Sequence, residues 1–316
     1  MIGAAETGRI LVLGADRRLY LQGLLTNDIL ALSPGTGCYA AMLTAQGRMM
    51  TDMRVLELGD AILMDLPLHL VATVREHLER FVFSEDVQAA DVTTMRAEIG
   101  VYGPRAAEVL RAAGMDGVPP ASLYDTTRVS VAGADAILVC SDRPGVRGYD
   151  LIVDSGQMPA VRTSLIQAGA VPSTDAEVER IRIESGRPRF GQDMDTDTIP
   201  LEAGIEERAI SRSKGCYVGQ EVIVRVVDRG QGRVARRLVG LGLPAGGGVP
   251  TAGARVTSGD REIGRITSAT DSPSLGHPIA LGYVHRDFTA EGTGVDVEGA
   301  GAATVVAMPF VSRRQT

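Results

Sequence analysis

The sequence predicts an α+β body followed by a small antiparallel β-barrel, and three observations predict it. Apolar residues make up 44% of the 316 and charged residues 22%, ordinary values for globular protein, and at roughly 100–200 residues per domain the length suggests two or three domains. Up to about Gly230, short apolar runs alternate with stretches of helical periodicity, as helices intermixed with antiparallel strands require. From Arg233 onward only short alternating runs remain, evenly spaced and punctuated by Gly, Pro, Ser and Asp, the pattern of a small barrel or sandwich. The expected division is residues 1–230 for the body and 231–316 for the barrel.

Arg9–Gly14 (RILVLG) reads as a strand, after which Asp16 can cap a helix reaching Leu25. Cys38–Thr44 and Met49–Leu58 read as strands joined by the turn Ala45-Gln46-Gly47, and Gly59-Asp60 turns the chain into a third strand, Ala61–Leu66. Pro67 suits a helix start, and Leu68–Val82 has helical periodicity. A second β-rich unit follows, with a helix near Pro104–Ala113 and strands near Arg128–Ala132, Asp135–Cys140 and Tyr149–Val153. Helices are expected around Met158–Gly169 and over Asp175–Ser185, the latter ended by Gly186. The barrel strands are Leu238–Leu243, Arg255–Thr257, Ile263–Ser268, Ile279–Val284, Gly294–Val297 and Ala303–Met308. The glycine-rich run Pro244–Pro250 reads as a hairpin loop among them.

Composition also excludes. A net charge of −7 argues against a chain-wide nucleic-acid surface. The apolar runs are too short for a membrane span, and Glu6 falls where a signal peptide would need its apolar core, so the expected location is the cytoplasm. Cys38, Cys140 and Cys216 lie far apart and form no C-x-x-C, a spacing that suits neither a disulfide framework nor a structural zinc, and no metal is expected.

Two scarcities point to chemistry. Of 32 basic side chains only Lys214 is lysine, and Asn27 is the only asparagine. A chance survivor would fall in a given eight-residue stretch about one time in forty, which favours a task for Lys214 that a planar guanidinium cannot perform. Asn27 is equally well explained by turn geometry. Lys214 opens the stretch KGCYVGQE (214–221), where two glycines permit close backbone approach and a thiol stands two residues from the ammonium. A helix from Tyr217 to Val227, ended by Gly230 and carrying Glu221 and Arg225 at i,i+4, is expected; the β-branched run Val222–Val227 makes a strand the alternative. On the helical reading, a thiol near a helix N-terminus and a lysine should favour its thiolate, against the ordinary fate of a free cysteine as a small buried hydrophobe.

KGCYVGQE resembles the signature of YgfZ-type proteins of the T-protein (GcvT) family. LQGLLTND (21–28), MLTAQGR (42–48) with Asp52, RIESGRP (182–188), GQDMD (191–195) and PLEAG (200–204) resemble that family's motifs in family order. The resemblance implies a GcvT-like ring of two ferredoxin-like α+β units and a barrel around a channel for tetrahydrofolate. It also implies a role in assembly or repair of iron–sulfur proteins, including cluster-containing tRNA-modifying enzymes. Client or assembly proteins would then be partners. The alternative is a folate-dependent aminomethyltransferase or demethylase.

By this resemblance Glu184 matches the glutamate that holds the pterin's amino-pyrimidine edge, two parallel N–H bonds onto one carboxylate. Its bland alternative is a helix carboxylate paired with Arg187. Asp52 matches the catalytic aspartate, while Thr51 stands where T-proteins usually carry a second one; without the resemblance Asp52 would be an exposed strand residue beside Arg54 or Arg48. The expected catalytic set is Cys216, Lys214 and Asp52; the expected cofactor contacts are Glu184, Asp52, Asn27, Gln192 and Tyr217. Asp193, Asp195 and Asp197 lack the glycine and glutamate of a calcium loop and read as a solvated run. Arg225, Arg229, Arg233, Arg236 and Arg237 form a basic cluster; such a cluster is usually a solvated face, and here it suits a folate polyglutamate tail, RNA or an acidic protein, the tail or protein being preferred.

Overall fold

The first α+β unit is β2 (Thr7–Leu13), α1 (Arg17–Leu24), β3 (Gly37–Leu43), β4 (Met49–Glu57), β5 (Ile62–Pro67), α2 (Val71–Arg80) and β6 (Gln88–Asp91). The computed structural model describes residues 2–4, 7–229 and 232–312. These strands form one antiparallel sheet in the order β3-β4-β5-β2-β6. The second unit has β7 (Arg96–Tyr102), α3 (Ala106–Ala112), β8 (Thr126–Val131), β9 (Ala134–Ser141), β10 (Gly148–Asp154) and α4 (Met158–Gln167). Its sheet runs β1-β7-β10-β9-β8, where β1 is Ile2–Ala4. β1 precedes β2 in sequence yet lies in the second sheet, so the two units interlock.

Alternation along β4 shows how the sheets are used. Met53 and Val55 pack toward the helices of the first unit with Leu21, Leu25, Val74 and Leu78. Leu56, one residue on, instead meets Leu63, Val139 and Ile152 from both sheets. Successive side chains point to opposite faces, so Asp52, Arg54 and Leu56 share the face turned toward the second unit. Arg54 lies buried there, its guanidinium bonded to Asp65, Asp150 and Glu98, with Arg143 and Arg9 completing a network of three arginines and three carboxylates.

α5 (Asp175–Glu184) starts at a capping box, in which the Thr174 hydroxyl accepts from the Glu177 N–H and the Glu177 carboxylate accepts from the Thr174 N–H. Gly186, at φ +63°, ends it as expected. Two one-turn helices follow, α6 (Pro200–Ala203) and α7 (Glu206–Ala209), then α8 (Gln220–Val224). The barrel is β11 (Arg236–Gly242), β12 (Arg255–Ser258), β13 (Arg261–Ser272), β14 (His277–His285), β15 (Gly294–Val297) and β16 (Gly301–Val306), closed in the order β11-β14-β13-β12-β15-β16. Among the described residues no helix is long and apolar enough to cross a membrane.

Several local expectations give way. Pro67 is the last residue of β5, paired with Thr7, and a 3₁₀ turn over Leu68–Leu70 intervenes before α2. Asp16 stands at the N-cap position of α1 as expected, but its carboxylate makes no capping bond and accepts instead from the Asp86 N–H at 2.8 Å. Pro244–Pro250 is no hairpin loop, because β11 pairs with β14 and β16 while β12 pairs with β13 and β15. The helix placed at Tyr217 begins at Gln220, and a π-helical turn, Arg225–Arg229, continues it. The reason lies at Gly219, in the left-handed region at φ +83°, where a Cβ would stand 2.5 Å from the Thr44 carbonyl oxygen. The segment before it is tied to α1 by the Val218 N–H, which donates to the Gly23 carbonyl at 3.1 Å. The helix end placed at Gly230 and the division at 230/231 lie outside the described residues.

Candidate functional site

Asp52 is half-buried on β4, and its Oδ2 accepts from the Tyr39 hydroxyl at 2.7 Å. Burial pushes its carboxyl above the ordinary range, further than Tyr39, Arg208 and Arg143 pull it down. Thr51 is fully buried, and strand alternation turns it to the face opposite Asp52. The guanidinium of Arg208, on α7, covers the Tyr39 ring at 4.7 Å and donates to the Tyr124 hydroxyl at 3.1 Å. Tyr124 sits at φ +69°, a left-handed position that a bulky residue occupies only when its surroundings impose it. Arg208 also lies in the field of Asp142, and Asp142 is paired with Arg187, just beyond the end of α5. One polar cluster thus draws on β3, β4, the loop before β8, the β9–β10 turn, the segment after α5, and α7. Of its members the sequence singled out Asp52 for chemistry. Tyr39, Tyr124, Arg208 and Asp142 carry no motif signal, and Arg187 falls within RIESGRP but reads there only as a partner for Glu184.

Glu184 is 1% exposed in the last turn of α5, and its Oε1 accepts from the Ser272 hydroxyl of β13 at 2.6 Å. A carboxylate at a helix C-terminus opposes the helix dipole, and the Ser272 hydroxyl offsets part of that cost. It joins the body to the barrel; Arg187 turns instead to Asp142.

The other expected residues have plainer surroundings. Asn27 donates through Nδ2 to the carbonyls of Tyr39 (2.8 Å) and Arg208 (3.1 Å). Gln192 donates to Glu179 (3.0 Å) and Ser268 (2.9 Å) and accepts from Arg189, tying its loop to the barrel. Tyr217 is buried beneath the Lys214 ammonium, 5.1 Å from the ring centre, and burial pushes its hydroxyl up to about 12. Asp193 is no solvated residue: it is 2% exposed and accepts from Arg182, Thr267 and Ser268 at 2.6–2.7 Å.

Lys214 is buried, and its Nζ donates to the carbonyls of Gln22 (2.6 Å), Leu25 (2.6 Å) and Asn27 (2.8 Å). An ammonium has three donors, and all are committed. Burial lowers it to about 8, against the opposing pull of Asp28 and Cys38. The thiol in its field is therefore Cys38, which burial pushes up to about 12 while Lys214 draws it down. Cys216 is exposed, four residues ahead of α8, so the expected pairing of lysine, helix N-terminus and Cys216 thiolate is not formed. The basic cluster is also largely neutralised: Arg225 pairs with Glu221, Arg236 with Glu202 and Arg237 with Glu206. The side chain of Arg229 lies outside the described residues.

The GCVT N-terminal domain matches residues 1–214, and the glycine cleavage T-protein C-terminal barrel domain matches residues 236–312. The chain belongs to the glycine cleavage T-protein family. It is 30% identical to the aminomethyltransferase of Streptomyces coelicolor, over 98% of this chain and 86% of that protein. The aminomethyltransferase of Nostoc sp. is 28% identical, over 98% and 84%. A solved structure, the glycine cleavage system aminomethyltransferase T from Bartonella henselae, superposes with a TM-score of 0.88 at 23% identity, covering 99% of this chain and 87% of that one, which shows the fold. The GcvT-like α+β body and closed barrel expected from the motifs are thereby established, and membership of this family supports tetrahydrofolate as the cofactor.

Proposed function

We propose that this T-protein family member binds a reduced folate between Glu184 and the Asp52 cluster and takes part in one-carbon transfer of the aminomethyl type. The observation that carries the reading is Asp52: a half-buried carboxyl with a raised pKa, held at 2.7 Å by Tyr39 and flanked by Arg208. The donor set fits the cofactor. Glu184 offers a carboxylate to an amino-pyrimidine edge, and the half-buried Tyr124, Arg187 and Arg208 offer an aromatic face and positive charge. Tetrahydrofolate, when bound, supplies the amine nitrogens that receive the one-carbon unit. Asp52 would hold or release a proton at Oδ1, the oxygen that Tyr39 leaves free, while Tyr39 fixes the carboxyl's orientation through Oδ2 and Arg208 limits how far its pKa rises. The relatives' shared name, aminomethyltransferase, favours this reaction class.

A second reading, a YgfZ-type accessory factor for iron–sulfur proteins, is favoured by Thr51 and by exposed Cys216 within KGCYVGQE. One assay separates the two. Methylene-tetrahydrofolate formation from an aminomethylated lipoyl carrier protein, lowered by about a hundredfold or more in Asp52→Asn, supports transfer. Folate binding without turnover, together with loss of iron–sulfur enzyme activity in cells carrying Cys216→Ser, supports the accessory role.

A further inference from the structure

The chain's only lysine and only asparagine meet. From this contact we infer that Lys214 is a positioning residue, holding the Asp52 site in register through Asn27, and not a group that reacts. The inference rests on the Asp52 site proposed above.

The path is short and every link is a hydrogen bond or ring contact. The Lys214 ammonium gathers the carbonyls of Gln22, Leu25 and Asn27 at 2.6–2.8 Å, where α1 gives way to the following turn. Carbonyls at a helix end have no intrahelical partner, and a compact ammonium can serve three that converge on one point. Asn27, its backbone fixed there, directs Nδ2 to the carbonyls of Tyr39 and Arg208. Tyr39 meets Asp52 through its hydroxyl, and the Arg208 guanidinium covers the Tyr39 ring and pulls the Asp52 carboxyl down by its charge. Thr26 reinforces the same junction, donating its hydroxyl to the Ala209 carbonyl and accepting from the Ala41 N–H. A guanidinium, planar and larger, cannot converge three donors on one point, which gives a reason for lysine to persist here in a chain that otherwise uses arginine.

The test uses Lys214→Met, Lys214→Arg, Asn27→Ala and the double variant Lys214→Met/Asn27→Ala, with circular dichroism used to select variants that keep the wild-type fold. Two quantities are read: affinity for 5-formyltetrahydrofolate by calorimetry, and titration of the Asp52 carboxyl by carbon-13 NMR. The expected result is a loss of affinity of about tenfold or more in each single variant, with the double variant little worse than either one: Lys214→Met loses the ammonium's bonds to its carbonyls, and Asn27→Ala loses the Nδ2 bonds to Tyr39 and Arg208. Lys214→Arg should not restore it. Asp52 should titrate at a shifted value in all of them. Additive losses, rescue by arginine, or an Asp52 titration unmoved by Lys214→Met would each overturn the inference. If the wild type binds no reduced folate, the folate reading fails separately, and the Asp52 titration alone decides the role of Lys214.

Discussion

Replacing Arg54 by methionine tests the interface on which the site is built. Arg54 stands two residues from Asp52 on the same face of β4, and its guanidinium bonds Asp65, Asp150 and Glu98 between the two sheets. Arg54→Met keeps the aliphatic bulk and leaves three buried carboxylates to Arg9 and Arg143. Breaking a buried ion pair by removing one partner costs about 3–5 kcal/mol, and the remaining arginines place this case toward the lower end. The pH dependence has a definite sign. Burial pushes Asp65 and Asp150 up, but Arg143 and Arg54 together pull both below the ordinary carboxyl range. Their contribution in the wild type is therefore present above about pH 4 and lost only as pH falls through their depressed values. Glu98, the third partner, is already held above that range by burial, and removing Arg54 raises all three folded carboxyls relative to the wild type, so the variant's deficit narrows on acidification. Urea unfolding followed by far-ultraviolet circular dichroism should show a deficit of about 3 kcal/mol at pH 7.5 that narrows at pH 5. A deficit below about 1 kcal/mol, or one that widens on acidification, would refute the reasoning.

Two further predictions concern single groups. Asp52→Asn should keep reduced-folate affinity within a few-fold while lowering one-carbon transfer by about 10²–10⁴, the usual contribution of a positioned acid or base, read as kcat against KM. Cys216 should alkylate first of the three cysteines because it is exposed, whereas Cys140 is buried and burial pushes the Cys38 thiol up to about 12. Lys214→Met should leave the Cys216 rate unchanged, since the ammonium serves backbone carbonyls; peptide-resolved labelling at pH 8 reads both.

Much of this fold was legible because its signals are local. The β3–β4–β5 meander follows alternation broken by Ala45-Gln46-Gly47 and Gly59-Asp60, and α5 ends at Gly186 as a glycine there dictates. What stayed hidden depends on distant partners. β6, with the polar sequence QAAD, exists only because β2 offers it an edge. KGCYVGQE read as a helix start because the close approach of Gly219 to Thr44 is a tertiary fact. The site divides in the same way. Motif residues Asp52 and Glu184 could be picked out, while Tyr39, Tyr124 and Arg208 become members only when separate segments converge. Lys214 was noticed through its rarity, but rarity carries no direction, and its partners proved to be carbonyls and not a thiol.

The central claim is reduced-folate binding that depends on Glu184. Isothermal calorimetry with tetrahydrofolate under argon, on the wild type and on Glu184→Gln, tests it most directly, because the amide keeps the shape and a partner for Ser272 but removes the charge. The account predicts one site in the wild type and a roughly ten- to hundred-fold weaker one in the variant, the worth of hydrogen bonds to a charged acceptor. Equal affinities, or no binding to the wild type, would contradict it.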